Sequence, residues 1–191
     1  MENQGESWHR DTAKRIGEAI AARRKTLGIT AQQLAERCKH LGVPIHRTTI
    51  TKIENGRPRF DVGELLVLAV ALDVPPVLLL FPGLPDGEVE RLPGDRGTSE
   101  AALWWFTGEH DDPGELAADD PAWLLKLTRE RYTMISRALR QDEYIAQRAT
   151  RGEHVSDDEI WPVIDYMNQI KGIERWIAAI PGAVIRGQRN A

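Results

Sequence analysis

The stretch from Thr30 to Gly56, TAQQLAERCKHLGVPIHRTTITKIENG, reads as two helices around a turn, closed by a glycine stop. Thr30 is of the residue type that accepts a hydrogen bond from a helix's first free amides, and Ala31 to Cys38 is a run of good helix formers behind it. A second helix begins near His46 or Arg47 and stops at Asn55-Gly56, a pair suited to a left-handed helix end. Ile50 and Ile53 share one face of that helix. His46, Arg47, Thr48, Thr51 and Lys52 lie on the others, with no acid before Glu54. A short helix with isoleucines behind and Arg, Lys, Thr and His in front suits the major groove of duplex DNA. Arginine and lysine reach guanine O6 and N7 there, threonine meets a base or a thymine methyl, and no carboxylate repels phosphate.

Outward from this segment, further residues fall into a known pattern: Ile16-Gly17-Glu18, Arg24, Gly28-Ile29-Thr30, Leu34-Ala35-Glu36, Thr49 to Gly56, and Leu65 to Leu79. Together they resemble the Cro/lambda-repressor-like helix-turn-helix family, the Xre-type regulators, over roughly residues 11–81. The resemblance implies a five-helix domain that binds double-stranded DNA, with helix 46–55 presenting the DNA-reading residues. It also implies an ion pair between Arg24 and Glu54. Two departures stand out. Ala31 replaces the glutamine usual at the start of the first motif helix, leaving Gln32 and the helix's amides as phosphate contacts. The span from Ala35 to Ile50 is about five residues longer than the usual spacing, because KHLGVP lengthens the turn. After the second helix, Pro58 stiffens a loop from which Arg57 and Arg59 can clamp phosphates. Asp61 caps a fourth helix, and Pro75-Pro76 opens a short fifth.

The net charge of −4 divides unevenly. Residues 1–60 hold 12 Lys and Arg against 6 Asp and Glu, and residues 61–191 hold 13 against 23. The basic part carries the helix-turn-helix pattern and attracts phosphate through its own field. No apolar run approaches the ~18 residues of a membrane span, and MENQGESWHR lacks the apolar core of a signal peptide. The single Cys38 fits a reducing cytoplasm, with the protein associated with the nucleoid through DNA. The first helix is expected from about Thr12 to Leu27, with Ile16, Ala19, Ile20 and Arg23 at helical spacing.

Residues 82–98 are rich in Gly and Pro and read as a linker, with a short strand at Glu88–Leu92. Residues 99–180 form a helical module for dimerisation or regulation, and 181–191 a tail. Ser99 caps a brief helix whose Trp104, Trp105 and Phe106 are expected in a core, with a ligand pocket as the alternative. The acidic stretch 109–120 holds His110 beside Asp111 and Asp112, but without a second ligand at metal spacing it reads as solvated. Two helices follow, about 121–150 and 157–180, making an αα-hairpin. In the first, Leu125, Tyr132, Ile135, Leu139 and Ala146 form a stripe. In the second, Ile160, Val163, Met167, Ile170, Ile173 and Ile177 form a seam for a partner helix, interrupted at Gly172. The same seam could instead be consumed against the 121–150 helix.

The expected fold class is all-α: a five-helix DNA-binding domain, a linker and a helical hairpin. No P-loop, GxGxxG, HExxH, paired cysteines or GxSxG is present, so neither an enzyme nor a cofactor or metal is expected. An Ala-Gly dipeptide, required by self-cleaving repressors, is also missing. The leading functional reading is a sequence-specific transcriptional regulator, a repressor, working as a homodimer. The others are the antitoxin of a toxin–antitoxin pair, with a toxin or anti-repressor as protein partner, and an adaptor that binds protein.

Overall fold

The computed structural model describes residues 3–109 and 120–185, so His110, Asp111, Asp112 and the last six residues of the tail lie outside it. The chain divides into two compact units, residues 1–107 and 108–191.

The first unit opens with α1 (Gln4–Thr26), capped by Asn3, whose side chain accepts from the Gly5 amide. The helix starts two turns before the expected Thr12. Its early residues lack an apolar stripe, and tertiary contacts hold them in its place. The indole of Trp8 donates to the Glu90 carbonyl at 3.3 Å, and Arg15 Nε donates to that of Leu80 at 3.1 Å. Arg23, expected on the inner face, donates to the carbonyls of Leu72 and Asp73 instead. Next come α2 (Ala31–His40), α3 (Arg47–Glu54), α4 (Val62–Ala71) and α5 (Pro76–Leu80). Thr30 with Gln33, and Asp61 with Glu64, form reciprocal capping boxes at the starts of α2 and α4. The five helices enclose a core of Ile16, Ile20, Leu34, Cys38, Ile50, Ile53, Leu65, Leu68, Leu72 and Leu79. Burial pushes the Cys38 thiol above its ordinary pKa.

The expected linker at 82–98 is corrected: it contains an antiparallel pair, β1 (Glu88–Leu92) and β2 (Asp95–Thr98), with Val89 opposite Gly97. The strands lead into α6 (Ser99–Thr107), and the compact unit extends to Thr107. What holds this segment is a small core of Phe81, Val89 and Ala102. Ser99 is fully buried, its hydroxyl donating to the Pro82 carbonyl at 2.6 Å and its amide to that of Gly87. The residue that accepts from the first turn of α6 is Thr98, through the Ala101 amide. Trp104, Trp105 and Phe106 are exposed, against the expectation of a core, because α6 turns Ala102 inward. Phe106 meets Phe81 edge-on at 5.7 Å, and the Arg91 guanidinium lies 5.8 Å from the Trp105 ring.

The second unit is a hairpin of α7 (Ala122–Thr150) and α8 (Asp157–Ala178). Gln141 donates to the Glu159 carbonyl and Arg131 pairs with Glu174, which makes the helices antiparallel. Ser156 and Glu159 form a capping box, and three acids occupy the first turn of α8, where the helix dipole favours them. Arg148 ties the turn by pairing with Glu153 and Glu159.

Two sequence expectations for this hairpin are corrected. Ile170, Ile173 and Ile177 are buried within the unit, the last two packing with Leu127, so they are not a free seam. Only Ile160 and Met167 of that set are exposed. The α7 stripe of Leu125, Tyr132 and Leu139 faces outward, since the side turned to α8 is the one carrying Leu127, Arg131, Met134 and Ala138. Gly172 does not interrupt α8.

Candidate nucleic-acid interface

The exposed face of α3 depends on the fixing of its buried one. Ile50 and Ile53 are sealed in the core, and α1 crosses directly behind them at Gly17. A Cβ on Gly17 would lie 2.1 Å from the Ile53 carbonyl oxygen, so only glycine permits this approach. At the end of α3, Arg24 grips Glu54 through two hydrogen bonds, Nε to Oε1 at 2.6 Å and an amino group to Oε2 at 2.9 Å. The side chains are 15% and 11% exposed, and Arg24 also donates to the Ile29 carbonyl. The carboxylate holds the Arg24 pKa above its ordinary value. Asn55 caps the helix. Gly56, at φ +80°, then lets its amide bond Ile53 and that of Arg57 bond Lys52, closing the last turn.

With its back fixed in this way, α3 presents His46, Arg47, Thr48, Thr51 and Lys52 to solvent. Neither Arg47 nor Lys52 holds an ion pair among the described residues, so both charges are available to an incoming anion. The Thr51 hydroxyl donates to the Arg47 carbonyl at 3.1 Å, which leaves its methyl and an acceptor lone pair for a ligand. His46 is the N-cap residue without a side-chain cap bond, so its ring is free of the helix end.

The lengthened turn resolves into two parts. Lys39 and His40 belong to the last turn of α2, and only Leu41 to His46 is non-helical. Gly42, at φ +84°, reverses the chain there, and Val43 returns its amide to the Cys38 carbonyl at 3.2 Å. Ile45 is buried, which anchors the turn and delivers His46 to the start of α3. A cleft of about 470 Å³ separates α2 from the α3 start, lined by Glu36, Lys39, Pro44 and Arg47 among others.

Among the expected phosphate contacts, Gln32 is exposed at the start of α2, with its amide on Glu36 at 2.9 Å. Arg59 is exposed and holds no ion pair among the described residues. Arg57 is a correction: its guanidinium is engaged by Glu64, the third residue of α4. It ties the loop to α4 and is not an open clamp. Lys39, which sequence reasoning passed over, lines the cleft beside the exposed face of α3; its signal was its place in the inserted KHLGVP.

This arrangement defines a helix-turn-helix DNA-binding domain, in which one helix is held by its neighbours so that its polar face can enter a groove. Residues 20–79 match the helix-turn-helix family model, a family of DNA-binding regulators, and this supports the resemblance of that segment to the Cro- and Xre-like type. No curated protein and no solved structure matches the chain. Among the described residues, no helix is long and apolar enough to cross a membrane, and no group of three or more His, Cys, Asp or Glu could hold a metal.

Proposed function

We propose that the protein is a sequence-specific regulator that reads the major groove of duplex DNA with α3 and represses transcription by occupying its operator. The observation that carries this reading is the unpaired Arg47, Lys52, Thr48 and Thr51 face set over a sealed isoleucine back. Arg47 reads a base edge, while Arg59, Gln32 and the first amides of α2 hold phosphate. Selection of bound genomic fragments by the purified protein, followed by titration of the winning site, tests it. Arg47→Ala weakens the selected site by about 1–3 kcal/mol and relaxes preference at one base position. Arg59→Gln weakens all sequences alike and lowers the salt slope by about one. Full affinity and unchanged preference in Arg47→Ala would refute the assignment.

The regulator works as a homodimer, because a single module of this size buries too little DNA surface for tight specific binding. The support within the chain is the outward flank of α8, where Ile160, Ile164 and Met167 recur at helical spacing and stay exposed. Sedimentation of the full-length protein at micromolar concentration gives a dimer, and Ile164→Glu with Met167→Glu gives a monomer. A monomeric wild-type protein sinks this part of the reading.

A further inference from the structure

We propose that the cleft between α7 and α8 is a binding site for a small organic cation with an apolar body. The cleft measures about 510 Å³, within the range of small-molecule sites. Trp123 stands on its α7 side and Trp176 on its α8 side, over a floor that includes Leu127 and Ile173. It lies on the opposite flank of α8 from Ile160, Ile164 and Met167, since Gly172 and Trp176 are at helical spacing with Trp161 and Asp165.

Gly172 shows that the space is built into α8. A glycine inside a helix costs stability relative to alanine, and here the backbone is continuous and helical, with no positive φ to require it. A Cβ placed on Gly172 would meet nothing within 4 Å. The fold does not need this glycine; the missing side chain leaves the cleft open.

The polar lining sets the sign of the ligand. Glu130 borders the cleft and makes neither an ion pair nor a hydrogen bond among the described residues. Indole faces carry the negative side of the ring quadrupole and attract cations. The ammonium of Lys126 already lies 4.7 Å from the Trp123 ring. With Lys126 on the Trp123 ring, the Trp176 ring and the exposed Glu130 carboxylate are what an incoming ion meets, and both repel an anion and attract a cation. A cation with an apolar body satisfies both parts of the lining, with Gln169 offering one further polar contact.

Tetraphenylphosphonium and tetraphenylborate share shape and size and differ in sign, so calorimetric titration of the full-length protein with each separates charge recognition from greasiness. The cation binds at one saturable site and the borate binds about tenfold more weakly. Glu130→Gln removes most of that preference. Gly172→Leu fills the cleft and abolishes cation binding, while circular dichroism shows helices melting at the wild-type temperature or above. If that variant fails to fold, Trp176→Ala, at an exposed position, serves in its place and weakens the cation by about tenfold. The proposal is overturned by absence of saturable cation binding or by equal affinity for the two ions. It is equally overturned by wild-type cation affinity in a folded Gly172→Leu protein or in Trp176→Ala.

Discussion

In the N-terminal unit Ile20, Leu34, Ile50, Leu68 and Leu72 are wholly sealed, whereas the best-enclosed large side chain of the hairpin, Ile177, still shows 4% of its surface. On the hairpin, Trp161 and Trp176 are 64% and 71% exposed. The contrast follows from layer count. Five short helices can surround a common centre, but two long helices share a single interface, and each retains apolar residues on its other faces. The first unit therefore closes a sealed centre behind the polar face of α3, although Val62, Val70, Trp105 and Phe106 stay exposed on its other faces. The second has kept apolar surface available for something else, a second copy on one flank and a small molecule on the other in the proposals above.

Two glycines inside helices make the contrast measurable, because the same substitution should act in opposite directions. Gly17→Ala drives a methyl group into the Ile53 carbonyl, and neither backbone can yield cheaply. The expected loss is at the upper end of the ~1–3 kcal/mol typical of overpacking, read as a lower urea midpoint for the N-terminal unit together with weakened DNA binding. Next in size is Arg24→Ala, which leaves the Glu54 carboxylate enclosed and unpaired; it should cost about 3 kcal/mol. Adding Glu54→Gln should recover part of that loss, and a double-mutant cycle by chemical denaturation measures the coupling. Gly172→Ala should instead stabilise the hairpin by about 0.5–1 kcal/mol, seen as a higher melting temperature.

The smallest effect is in pH. Hydrogen bonds from Ser156, first from its amide and then from its hydroxyl, hold the Glu159 carboxyl below its ordinary pKa, with Arg148 adding to the effect. The folded hairpin binds this proton less readily than the unfolded chain. Its contribution is thus complete above the ordinary carboxylate value and is lost as pH falls through the depressed one. Thermal melts of the hairpin across the acidic range should show this decline, and Glu159→Gln should flatten it.

The start of α2 and the end of α3 were legible because their signals are local, Thr30 at one and Asn55-Gly56 at the other, while the end of α2 lies two residues later than Cys38, inside what was read as turn. The first strand was legible at Glu88–Leu92, but its partner Asp95–Thr98 was obscured because EVERLPGDRGT turns only Val89 fully inward. Besides its own small core, the strand pair is tied by Trp8 and Arg15 on α1, some eighty residues away in the chain, a distance that no local pattern spans. Arg57 was misassigned for a related reason. A basic residue after a recognition helix suits phosphate, and nothing in RPRFDVGE marks Glu64 as its partner until α4 is folded. The α8 seam failed through excess of signal. Apolar residues cover so much of that helix that periodicity alone could not choose between the side facing α7 and the outer flank.

The long α1 also bears on how this protein can be cut. It begins at Gln4, 16 residues before the matched segment opens at Ile20. A fragment trimmed to 20–79 would discard Ile16 from the core and Gly17 from behind Ile53. It would also remove Arg15, whose guanidinium clasps the end of α5 through the Leu80 carbonyl. The smallest autonomous piece therefore starts near Asn3 and ends near Thr107. Shorter dissections would report the behaviour of a recognition helix without its backing and not that of the domain.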